Sequence, residues 1–135
     1  MPDRPLLHGL RWCALLLLCA AYLQGGLAKA FDFDGAVAEM QHFGLQPAGV
    51  LAPAVIVLEL GASALVLGGR WRWLGALALA VFTLAATALA LRFWEMAPGS
   101  ARFMATNAFF EHLGLAGGLL LVAWHDFWPC QGKTP

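Results

Sequence analysis

Residues 73–91 read WLGALALAVFTLAATALAL, from Trp73 to Leu91, without one charged side chain. At 1.5 Å rise per residue, a helix of this length spans about 30 Å, the thickness of a bilayer's hydrocarbon core. The run is continuous and rich in Leu and Ala, and it lacks the alternation of a barrel strand. It reads as a transmembrane helix. Working outward, the same reading applies to about Leu10–Ala28, about Ala48–Gly69 and about Phe103–Trp124. The expected fold is therefore all-α: a single domain over residues 1–135, an integral membrane four-helix bundle. Its short connections make sequence neighbours antiparallel.

Composition agrees with this reading. Of 135 residues, 61% are hydrophobic and 12% are charged, 8 basic against 8 acidic. Soluble domains carry about 25% charged residues, so these few cannot cover a globule with a polar surface. Intrinsic disorder is excluded by the apolar content. A net charge of zero offers no basic face for phosphates, so lipid, and not nucleic acid, is the expected surrounding.

Lys/Arg bias sets the expected direction. Arg4, Arg11, Arg70, Arg72 and Lys133 fall on one side, against Lys29, Arg92 and Arg102 on the other. This predicts a multi-pass protein with both termini in the cytoplasm. Trp12, Trp71, Trp73, Trp124 and Trp128 would ring the cytoplasmic interface and Trp94 the outer one. A rival reading takes the first span as a secretory signal cut near Ala28-Lys29-Ala30.

The longest connection, FDFDGAVAEMQHFGLQ from Phe31 to Gln46, interleaves Phe31, Phe33, Met40, Phe43 and Leu45 with Asp32, Asp34, Glu39 and His42. It predicts a short amphipathic helix over Gly35–Phe43, N-capped by Asp34 and stopped at Gly44. Such a helix suits the outer headgroup region, or a lid across the bundle mouth.

An ionisable residue inside a span is costly and therefore a functional candidate. Glu59 lies about eleven residues into the second span, roughly 16 Å deep. Glu111 lies at similar depth in the fourth span, and Asn107 shares its helix face at four-residue spacing. Lys29 and Arg92 stand at the outer ends of spans one and three. The expectation is one charge-compensated cluster of Lys29, Glu59, Arg92, Asn107 and Glu111, open toward the periplasm. Glu59 and Glu111 would handle protons there, with Lys29, Arg92 and Asn107 as counterion or binding groups. The blander reading makes these groups glue between helices, and Lys29 and Arg92 snorkelling cations. His112, about 100° round the helix from Glu111, reads as a satisfied structural histidine.

Other signals are weaker. Gly25, Gly26, Gly61, Gly75, Gly114 and Gly118 permit close helix approach. Cys13, Cys19 and Cys130 form no C-x-x-C, and no span carries a His pair at metal spacing. Thiol–disulfide chemistry and a bound metal are therefore not supported.

From about Arg11 to Trp124 the chain resembles the DoxX family of small four-helix membrane proteins. The resemblance rests on ordered stretches: Gly26-Leu-Ala-Lys29-Ala-Phe31, Met40-Gln-His-Phe-Gly44-Leu-Gln-Pro47, Glu59-Leu-Gly61, Leu65-Val-Leu-Gly68 with Arg70, and Arg92-Phe-Trp94. Asn107 and Leu113-Gly-Leu-Ala-Gly-Gly118 complete it. It implies the bundle, the bacterial inner membrane and a link to quinone or redox chemistry, in which Lys29, Arg92 and Asn107 would bind a quinone or act as counterions. In the family's pattern the position of Arg92 is often a histidine; a guanidinium cannot relay protons, which leaves Arg92 a counterion or anion-binding role.

Three functions compete. The first is a quinone- or redox-linked accessory subunit needing a redox enzyme or membrane protein partner, since no motif here encodes an electron carrier. The second is a structural or assembly subunit of a larger membrane complex, or an oligomer. The third, a small transporter, lacks inverted-repeat signals.

Overall fold

The computed structural model describes residues 4–128. Lys133, Cys130 and the tail from Gln131 to Pro135 lie outside the described residues. Those described form five helices and no strand: α1 Arg4–Phe31, α2 Phe33–His42, α3 Ala48–Gly68, α4 Arg72–Ala90 and α5 Ser100–Phe127, with a short 3-10 turn at Phe93–Glu95. Four of them, α1, α3, α4 and α5, are long and apolar enough to cross a membrane. The four stretches read from hydropathy thus become helices. Both α1 and α5 run to 28 residues, about 42 Å, longer than the hydrocarbon core they cross.

The first break is local chemistry. Helix α1 stops at Phe31, and the Asp32 carboxylate accepts the Gly35 N–H at 3.0 Å. Asp32 is therefore the N-cap of α2, which corrects the expectation of Asp34: the helix begins two residues earlier and Asp34 lies in its first turn. At the other end Gly44 takes a left-handed φ of 70°. Its N–H donates to Gln41 O at 3.0 Å and that of Leu45 to Met40 O at 2.9 Å, the paired bonds of a Schellman stop. Ala36 and Met40 on one face of α2 are buried with Ala48 and Ala52 of α3. Phe31 and Phe33 stay exposed.

The long helices pack in the order α1–α3–α4–α5, while α1 and α5 scarcely touch. Two glycines set the spacing. A Cβ at Gly75 would stand 2.5 Å from Ala62 O, and one at Gly26 would stand 2.8 Å from Leu60 Cδ2. At Gly75 the obstacle is backbone and admits no side chain, whereas at Gly26 the Leu60 side chain would have to shift; α4 lies most tightly on α3. Gly61 and Gly114 are different: a Cβ there meets nothing within 4 Å. Small size at those two positions is unused by packing within the chain. Leu79, Leu119, Val66 and Cys19 fill the apolar centre.

A polar knot ties the end opposite α2. Asp126 of α5 accepts the Trp73 N–H at 3.0 Å, capping the first turn of α4, and faces Arg72 at 3.9 Å. The Arg72 Nε also donates to Val66 O at 2.8 Å, satisfying a carbonyl in the last turn of α3.

Candidate functional site

Toward the α2 end the helices line a cavity of about 520 Å³. Every helix contributes to its wall. Tyr22, Gly25 and Lys29 come from α1, and Glu39 and Met40 from α2. Val55 and Glu59 come from α3, Phe82, Thr83 and Ala86 from α4, and His112 and Leu115 from α5. Most of this lining is apolar. The few polar groups therefore stand out against it, as in sites that hold a small organic molecule.

The central polar feature is an ion pair. Lys29 Nζ lies 3.2 Å from Glu59 Oε2 and 3.4 Å from Oε1. The Glu59 side chain is only 6% exposed, and that of Lys29 18%. A lone carboxylate at this depth would be strongly disfavoured, so the ammonium beside it is what allows the charge to persist. Helix packing delivers the pair: glycine at 26 sets α1 against the side chains of Glu59 and Leu60, one turn from Lys29. A Cβ at Gly25 would come within 3.2 Å of Glu59 Oε1.

Two further contacts complete the polar set. The Tyr22 and Thr83 hydroxyls bond to each other, linking α1 to α4, and Thr83 also donates to Leu79 O at 2.6 Å. His112 Nδ1 lies 3.0 Å from Thr87 Oγ1. Among the described residues no buried side-chain nitrogen or oxygen lacks a hydrogen-bond partner. The floor of the cavity is thus ordered by its own bonds, with Lys29 and Glu59 as its charged members.

The residues expected to join Lys29 and Glu59 are placed elsewhere. Arg92 follows the end of α4, is exposed, and pairs with Glu95 at 3.3 Å across the 3-10 turn. Asn107 and Glu111 are exposed on α5. The expected five-residue cluster is corrected to a pair. The reason is helical phase: α5 turns His112 inward to Thr87, which swings Glu111, about 100° away, to the outer face with Asn107. Sequence reasoning also passed over Tyr22, Thr83, Thr87 and Glu39. Only the spacing Thr83–Thr87, one turn apart on an otherwise apolar helix, could have signalled an inward polar stripe on α4.

The family model of DoxX matches residues 10–92, a stretch that runs from α1 to just past α4 and holds both Lys29 and Glu59. The chain belongs to the DoxX family. Among curated proteins and among solved structures, none matches it. With four helices of spanning length, this DoxX member is a multi-pass membrane protein.

Proposed function

We propose that this DoxX protein is an accessory subunit of quinone-linked redox chemistry, holding a quinone head in the cavity at its α2 end. The observation that carries this reading is the Lys29–Glu59 pair set in a largely apolar cavity of about 520 Å³. A quinone head is a flat apolar ring with carbonyl acceptors on opposite edges. Phe82, Leu115 and Val55 offer walls for the ring, and the Lys29 ammonium offers a donor to a carbonyl or to the oxyanion that develops on reduction. Reduction of a quinone to its hydroquinone takes up a proton at each oxygen, and Glu59 is the carboxyl placed to exchange one. Electrons come from a partner enzyme in this reading.

The same proposal sets the protein in the bacterial inner membrane, with its helices antiparallel and both termini cytoplasmic. Arg4, Arg11, Arg70 and Arg72 at one end support that direction. Helix α2 then lies at the periplasmic interface, where Met40 and Glu39 roof the cavity. The test is purification in mild detergent with mass spectrometry of bound lipids. The wild-type chain retains quinone, and Lys29→Met or Glu59→Gln lowers its affinity by roughly tenfold to a hundredfold, the worth of one charged hydrogen bond. Unchanged quinone in both variants contradicts the proposal.

A second reading, a structural subunit of a larger complex, is favoured by the polar residues that α5 turns outward. It predicts that both variants are silent in function.

A further inference from the structure

At the end opposite α2, helices α1 and α5 line a cleft of about 450 Å³. The two helices meet at Gly118, where a Cβ would stand 3.3 Å from Leu18 Cδ1. Nearer the end of the bundle the cleft lies between Ala14 and Leu15 of α1 and Leu121 and Val122 of α5. Arg11 and His125 complete its lining. From Gly118 to His125 the distance along α5 is about 10 Å. Trp12 follows Arg11 and Trp124 precedes His125, and both indoles are exposed, as are Trp71 and Trp128. Indoles gather where hydrocarbon meets headgroups. The cleft therefore runs from the headgroup level into hydrocarbon, polar at its mouth and aliphatic below.

The charge at this mouth has one sign. Arg4, His8, Arg11 and Leu15 follow one another at steps of four, three and four residues, so they share a face of α1. That face is buried at Leu15 and turns basic beyond it. Among the described residues, ion pairs engage Lys29, Arg72 and Arg92, and none engages Arg4 or Arg11. Asp126, next to His125 in sequence, is already held by the Trp73 N–H and faces Arg72. His125 Nδ1 lies 2.8 Å from Leu121 O. A carbonyl oxygen can only accept, so Nδ1 donates there and Nε2 is the ring nitrogen left for a ligand.

We infer that this cleft is a binding site for an anionic phospholipid. The Arg11 guanidinium offers paired N–H donors to the lipid phosphate, and His125 Nε2 accepts from a headgroup hydroxyl. The upper part of an acyl chain lies against Ala14, Leu15, Leu121 and Val122. Basic pockets between spanning helices recognise lipid phosphates in this way. The aliphatic walls select a phosphate that carries a chain, because a free phosphate would leave them unfilled. The site is independent of the Lys29–Glu59 cavity. On α1 the buried Cys19 lies between Leu15 and Tyr22, and on α5 the buried Leu119 lies between Val122 and Leu115, so packed core separates the two.

The test is native mass spectrometry of the full-length chain in detergent, titrated with phosphatidylglycerol or with phosphatidylcholine of the same acyl chains. Wild type is expected to bind phosphatidylglycerol about tenfold more tightly. Arg11→Gln should remove that preference, a loss of about tenfold, while leaving phosphatidylcholine binding as it is. Ala14→Phe keeps the charge but fills the cleft, and should weaken phosphatidylglycerol binding as well. Arg11 and Ala14 are exposed, so both variants keep the fold and a fall in binding reads as loss of the site. Arg102→Gln removes a cation from the other end of α5 and should change nothing. Equal affinity of wild type for the two lipids overturns the inference. So does wild-type preference in Arg11→Gln, an equal loss in Arg102→Gln, or displacement of the lipid by glycerol phosphate, which would make the ligand a free phosphate.

Discussion

At the scale of single residues, Lys29 and Glu59 depend on each other. Both are largely withdrawn from their surroundings, at 3.2 Å, so removing one leaves the other charged and without its partner. Breaking such a pair costs on the order of 3 kcal/mol, whereas replacing both by neutral groups of similar shape costs much less. Thermal melting of the purified chain is therefore expected to show Lys29→Met and Glu59→Gln each strongly destabilised, with the double variant above either single one. Additive losses in the double variant would show that the two side chains do not interact. The sequence pointed to Glu59 through its depth in an apolar run and to Lys29 through its place at the outer end of the first span. It did not show that Arg92 leaves the bundle: α4 ends at Ala90, and Arg92 then meets Glu95 on the surface.

At the scale of elements, spacing between helices is set by which glycines are used. Gly75→Ala would drive a Cβ to 2.5 Å from the Ala62 carbonyl oxygen, forcing α3 and α4 apart at a cost of about 1–3 kcal/mol. Gly61→Ala meets open space and should be neutral or stabilising by up to about 1 kcal/mol. Melting temperatures of the two variants decide this, and equal losses would contradict the packing described. The sequence offered both glycines as equivalent small residues, and only the packing of α4 on α3 separates them. The same limit applies to α5. In a soluble bundle, alternation of apolar and polar positions marks the inner face of a helix. In lipid both faces are apolar, so Glu111 and His112, adjacent in sequence, could not be assigned to opposite sides from pattern alone. Helix α2 was legible because it lies in a polar stretch, where caps and stops carry the signal. Even there the competing carboxylates Asp32 and Asp34 shifted its start by two residues.

At the scale of the whole molecule, four helices of spanning length and one short helix between the first two were readable from hydropathy and turn chemistry. The cavity was not. It forms where α2, packed on α3 and α1, meets residues of α4 and α5, an outcome of packing among all five helices. Its polar lining was equally hidden, since the hydroxyls of Tyr22 and Thr83 hardly alter the apolar character of their helices. The central claim is that this cavity binds a quinone head beside Lys29 and Glu59. The direct measurement is titration of a short-chain quinone into the full chain in nanodiscs, following its binding calorimetrically, for wild type and for Ala86→Phe. Ala86 lines the cavity without belonging to the ion pair, so phenylalanine there fills the space and leaves both charges in place. The account predicts saturable binding in wild type and its loss in Ala86→Phe. Equal binding in the two chains, or none in wild type, would contradict it.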